Sequence, residues 1–128
     1  MKRQQIAEVM EKAEVRSFDN PDEVREFPKG RLELITIGGV TVGRATLEPG
    51  WRWSESVQPI AKTDSCEASH FQYQLSGVIR VRMDDGTEVE SRAGDVTLFP
   101  PGHDAWVVGD EPVVAVDFQG MHDYAQRG

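Results

Sequence analysis

From residue 30 onward, apolar and polar positions repeat with a period of two rather than the 3.6 of a helix. Leu32, Leu34 and Thr36 interleave with Glu33, Ile35 and Ile37 and stop at Gly38-Gly39, which is the pattern and stop signal of a strand. Val40 to Leu47 is a second such run, closed by Glu48-Pro49-Gly50. Phe71 to Val81 is broken only at Ser76-Gly77, and Thr87 to Ser91, Val96 to Phe99, Trp106 to Val108 and Val113 to Phe118 follow. Between them stand turn signals. Asp84-Asp85-Gly86 predicts a hairpin, because Asp-Gly supplies the positive φ of a tight turn, and Ala93-Gly94-Asp95 and Pro100-Pro101-Gly102 predict two more turns.

Only the start of the chain reads differently. Ile6, Val9, Met10 and Ala13 recur at helical spacing within Gln4 to Ala13, predicting a short helix with one apolar face for the barrel or a partner subunit. Asn20-Pro21 and Pro28-Lys29-Gly30 punctuate a polar connector. The division expected is residues 1–29 as helix and connector, 30–120 as a β-barrel, and 121–128 as a tail. Short strands joined by Gly, Pro and Asp turns define an all-β sandwich or barrel with a short N-terminal helix. No internal repeat is present.

Composition narrows the function classes. A chain of 128 residues has room for one core. Its 38% hydrophobic and 28% charged residues are those of a soluble globular protein. A net charge of −8 argues against nucleic acid as a partner, since phosphate binding needs clustered Lys and Arg. Arg80 and Arg82, the nearest to a basic pair, read as a solvated or interface face or as contacts for an anionic substrate. No apolar stretch is long enough to span a bilayer, and Gln4 to Val15 is too charged for the apolar segment of a secretory signal. No membrane partner is expected. The single cysteine makes no internal disulfide, so a reducing cytoplasm is the expected location.

The glycine and proline spacing resembles the cupin superfamily. That family's second motif runs Gly, five residues, Pro-x-Gly, two residues, His, three residues, Asn. Here Gly94 is followed by five residues to Pro100, then Pro101 and Gly102. Its first motif runs His-x-His, three or four residues, Glu, six residues, Gly. Six residues separate His70 from Gly77, which puts His70 at the Glu position and Asp64 and Cys66 at the two His positions. The string from Pro100 to Pro112 is similar to a group of small bacterial cupins of unassigned function. The resemblance implies a jelly-roll β-barrel with a pocket at its mouth. It does not carry over the usual three-His, one-Glu iron or manganese site, because Ala105 also stands where the last His belongs and Gly109 where the Asn belongs.

The residues at those positions still have ligand chemistry. Asp64, Cys66 and His70 are competent donors, and His103 shares parity with Ala105, so on a strand it reaches the same side. An Asp64/Cys66/His70/His103 set mixes oxygen, sulfur and nitrogen, and its thiolate favours zinc over iron or manganese as the divalent metal. Two other readings stand beside this one. Cys66 is a nucleophile with His70 as its base, or Cys66 is a small buried hydrophobe and His70 merely hydrogen-bonds to Asp64 or a carbonyl.

Period two also puts Gln72 and Gln74 on the face of His70. They line a polar cavity holding water or a ligand, or they bond to neighbouring strands. Trp51, Trp53 and Trp106 lie beside the motifs, as pocket walls or as anchors of a homodimer interface. Trp51 and Trp53 precede an insertion, Ser54 to Thr63, that is placed to lid the mouth. His122 in the tail reads as surface. The function these features point to is binding of a small-molecule ligand at an atypical, metal-bound mouth. The alternatives are a metal-dependent enzyme (dioxygenase, isomerase or lyase) and a metal-free module for oligomerisation.

Overall fold

The structure is a computed structural model that describes residues 12–119, 121–122 and 124–126. The helix expected over Gln4 to Ala13 falls outside them, save Lys12 and Ala13, which are not helical. The described chain forms nine strands: β1 (Glu23–Phe27), β2 (Gly30–Ile37), β3 (Val40–Leu47), β4 (His70–Ser76), β5 (Val78–Met83), β6 (Glu88–Arg92), β7 (Val96–Phe99), β8 (His103–Val108) and β9 (Val113–Asp117). All pairings between them are antiparallel. They build a six-stranded sheet in the order β1-β2-β3-β9-β4-β7 and a three-stranded sheet in the order β6-β5-β8. The two enclose a core of Leu32, Leu47, Trp51, Trp53, Ile79, Val81, Phe99 and Val113. This is the sandwich or barrel that the strand pattern predicts, in the jelly-roll form that the resemblance implies.

The sequence signals act as expected at the turns. Gly86 has φ +90°, and its N–H donates to the Met83 carbonyl at 2.9 Å to close the β5–β6 hairpin. At Ser76-Gly77 the chain leaves the large sheet for the small one. Gly77 has φ +75°, and a Cβ there would lie 2.5 Å from the Pro112 oxygen. Both the dihedral and the backbone contact demand glycine. Gly77→Ala should lose more than about 1 kcal/mol of stability, measured by urea denaturation.

Two elements differ from expectation. β1 lies in what reads as connector and pairs with β2, Phe27 opposite Gly30. The insertion after Trp53 folds as two single turns of helix, α1 (Trp53–Ser56) and α2 (Gln58–Ala61), each too short for an apolar period to register in sequence. It is pinned to the barrel by Asp104, whose carboxylate accepts from the Ser54 N–H at 3.1 Å and Arg52 Nε at 3.2 Å.

A candidate Cys-His-His centre at the barrel mouth

Antiparallel pairing gathers the ends of four strands at one rim. His70 opens β4, Phe99 opposite it closes β7, His103 opens β8 and Asp117 closes β9. Cys66 precedes β4 and is tied to β8 by an isolated bridge to His103. Its N–H donates to the His103 carbonyl at 2.7 Å, and its own carbonyl accepts from the Gly102 N–H at 2.7 Å. The Pro-x-Gly corner thus positions both Cys66 and His103. Cys66, His70 and His103 are all buried, and their ligand atoms lie within 4.8 Å of one another.

Each histidine is turned by a second contact. His70 Nδ1 lies 2.5 Å from Asp117 Oδ2, and its Nε2 lies 3.6 Å from Cys66 Sγ. Asp117 is held in turn by the N–H groups of Phe71 at 3.2 Å and Gln119 at 2.9 Å. His103 Nδ1 lies 2.9 Å from the Pro100 carbonyl oxygen. Since a carbonyl only accepts, His103 Nδ1 carries a proton, and this bond turns Nε2 toward the Cys66 sulfur. The two rings stand edge-on with centroids 5.3 Å apart.

Charge is stabilised inside this cluster against the cost of burial. Burial pushes the Cys66 thiol up, but hydrogen bonds from His103 and His70 outweigh it and bring the group down to about 6. Burial pushes His70 down, but its bonds to Asp117 and Cys66 outweigh that and raise it to about 9. Near neutral pH, in the absence of a metal, the pair is a thiolate beside an imidazolium.

Asp64 does not join the cluster. It is exposed, and the interaction it makes beside α2 is acceptance of a hydrogen bond by its backbone carbonyl from Gln58. Gln72 and Trp53 do line the barrel chamber, whereas Gln74 and Trp106 do not. Gln74 is fully buried with its amide consumed by the carbonyls of Ser76, Gly77 and Ser91 and by the Ser91 hydroxyl. It is a latch between strands, the second of the two readings open for it. Trp106 has the opposite parity to His103 and Ala105, and Arg52 stacks on its ring at 4.5 Å. Trp51 and Trp53 are buried walls. Arg80 lies on a solvated face, paired with Glu88 and Glu90.

Three contributors escape a sequence reading. Asp117 carries a signal, because it continues the inward parity of Val113 and Ala115. Tyr124 and Arg25 carry none. The tail crosses the mouth, with the Tyr124 ring edge-on to His70 at 5.5 Å. Arg25 clasps it by donating to the carbonyls of Met121 at 3.2 Å, His122 at 2.9 Å and Tyr124 at 2.7 Å. Trp53, Cys66 and Tyr124 form a wall shared by an inner chamber of about 50 Å³ and an open cleft of about 510 Å³. Arg25→Ala should loosen that wall. With charge-assisted bonds contributing about 1.5–3 kcal/mol each, the reaction of Cys66 in metal-free protein with a thiol reagent should accelerate about tenfold or more.

Comparison with known proteins follows the same lines. Residues 50–118 match the family model of the EutQ-like cupin domain. Among curated proteins none matches the chain. A Rhizobium leguminosarum protein of unknown function is similar in structure, with a TM-score of 0.59, 16% identity, and 87% of this chain and 99% of that one covered. A sugar phosphate isomerase of the cupin superfamily from Silicibacter pomeroyi gives a TM-score of 0.57, 20% identity, and coverages of 81% and 73%. An oxalate decarboxylase from Lactobacillus farciminis, in its formate complex, gives a TM-score of 0.56 at 18% identity. There 80% of this chain is covered but only 32% of the decarboxylase. At such identities the likeness is one of fold.

Proposed function

The chain belongs to the EutQ-like cupin domain family, and from that premise we propose that it binds a small molecule at a mouth where Cys66, His70 and His103 hold a divalent metal, zinc by the chemistry of the donors. The observation that carries this reading is the convergence of three buried ligand atoms, with both histidines fixed by outer contacts. Asp117 on His70 Nδ1 and the Pro100 carbonyl on His103 Nδ1 leave both Nε2 atoms for a metal. Such outer partners set tautomer and raise ligand basicity. One thiolate and two imidazoles suit zinc better than iron or manganese.

Three protein donors leave a further position for water or ligand. When bound, the metal would supply Lewis acidity to a ligand oxygen. That open position favours metal-dependent catalysis as the second reading, with isomerase or lyase chemistry ahead of oxygen activation, which uses a His/carboxylate facial set. The nucleophile reading has support in the line Cys66–His70–Asp117, but His103 is directed at the same sulfur, a donor that a simple nucleophile–base pair does not need.

The residues around the centre bind and orient rather than react. The Tyr124 ring and the tail restrict water from one side, and Trp53 from another. The assembly we propose is a homodimer through the outer face of the large sheet, where Phe71, Tyr73, Leu75, Val96, Leu98 and Phe118 are exposed. An apolar patch of that kind marks an interaction surface. A buried free thiolate also fits a reducing compartment, so the proposed location is the cytoplasm. Cobalt(II) tests the centre directly. Added to metal-free protein, it should produce thiolate charge-transfer absorption that Cys66→Ser lacks, and absence of that band in the wild type would remove the reading.

A further inference from the structure

We propose that the inner chamber of the barrel receives a molecule of about one or two carbons carrying a hydrogen-bond-accepting oxygen, and that the indole N–H of Trp51 is its donor. This deepens the reading of the mouth as a small-molecule site and names the class of ligand. The chamber measures about 50 Å³. At about 10–15 Å³ for each water-sized group, that is room for roughly three to five non-hydrogen atoms. Leu47, Ile79, Val81, Ala105 and Val113 line much of it, so a fully polar or highly charged guest would lose its hydration without compensation.

One group in the wall asks for an oxygen. Trp51 is 2% exposed, lines the chamber, and its Nε1 has no hydrogen-bond partner in the protein. A buried donor left unsatisfied costs about 1–3 kcal/mol, and a donor so placed is normally met by a partner. The histidine nitrogens are otherwise engaged: each Nδ1 is bonded outward, to Asp117 or Pro100, and each Nε2 belongs to the Cys66 cluster. Gln72 and Tyr124 also line the chamber, and of its donors the Trp51 indole is the buried one left without a partner, so a guest oxygen is assigned to it. A carboxylate and a neutral amide or aldehyde share this chemistry, and the guest's charge is what separates them.

The indole signals of ¹⁵N-labelled protein test the proposal. The three tryptophans give three indole N–H signals, and Trp51→Phe assigns one of them by its loss. Formate, acetate, formamide and acetamide are the probes, with butyrate as an oversized control. At least one of the small probes should shift the Trp51 signal and leave that of Trp106 in place. A shift with acetate alone identifies an anion site, and a shift with acetamide as well identifies a carbonyl site. Ala105→Val fills the chamber while keeping the indole, and should weaken the response about tenfold or more. Zinc-loaded and metal-stripped protein are titrated in parallel. A Trp51 shift in protein that takes up no zinc upholds the chamber and sinks the metal reading. Bound zinc with no shift from any small probe, or an equal shift with butyrate, overturns the chamber and leaves the metal.

Discussion

Protein carrying His70→Ala or Cys66→Ala is expected to emerge from purification without zinc, while Asp64→Ala and the wild type carry it in stoichiometric amount. The contrast follows from geometry. Cys66 and His70 supply two of three converging ligand atoms, and a centre reduced to two donors loses both affinity and shape. The loss should exceed the about 10–100-fold that removing an outer partner costs. Asp117→Asn sets that smaller benchmark, because it keeps the His70 ring and removes only the carboxylate charge that orients it. Asp64 stood at a ligand position by spacing, yet its exposure beside α2 leaves it nothing to contribute. Elemental analysis of protein prepared without added metal, followed by competition with a zinc-chelating dye, reads the series. Circular dichroism shows whether each variant keeps the barrel. A metal-free wild type with only weak zinc affinity would sink the proposed centre, and zinc retained in folded His70→Ala would remove that residue from it.

The barrel was legible because its signals are local. Gly77, Gly94, Pro100 and Gly102 act through backbone dihedrals at their own positions, so spacing alone carries them. His103 was legible for a similar reason: β8 is a regular strand, and parity put it on the side of Ala105. Asp64 failed where periodicity has no purchase, since residues 64–69 lie outside the regular strands and a spacing argument says nothing about facing there. Gln74 shows a different limit. Its inward parity was right, but the carbonyls that consume its amide come partly from Ser91, a strand away across the sheets. The Arg25 clasp is further out of reach, joining positions 96 to 99 residues apart. The tryptophans make the same point about interfaces. Indoles near a rim read equally as dimer anchors or pocket walls, and for Trp51 and Trp53 burial within the barrel selects the wall.

Metal-stripped wild-type protein should hold nearly constant stability between pH 6.5 and 9, and Cys66→Ser should turn that plateau into a decline. The folded state raises His70 from 6.5 to about 9. Its stabilisation is therefore complete below pH 6.5 and disappears as pH rises through about 9. Cys66 falls from 9.0 to about 6, so its stabilisation is complete above pH 9.0 and disappears as pH falls through about 6. Between these limits the unfolded chain holds one proton on the thiol and none on the imidazole, and the folded chain holds one on the imidazole and none on the thiol. Equal proton counts give a zero slope. Removing the thiol leaves the folded state one proton richer, so stability should drop by up to about 1.4 kcal/mol per pH unit. Asp117 still holds His70 charged in that variant, which keeps the decline visible until His70 itself titrates. Adding Asp117→Asn should flatten it again, at a lower overall stability. Urea denaturation across this pH range makes the measurement. A wild type that loses stability as steeply as Cys66→Ser would mean that the thiolate and imidazolium do not coexist in the folded barrel.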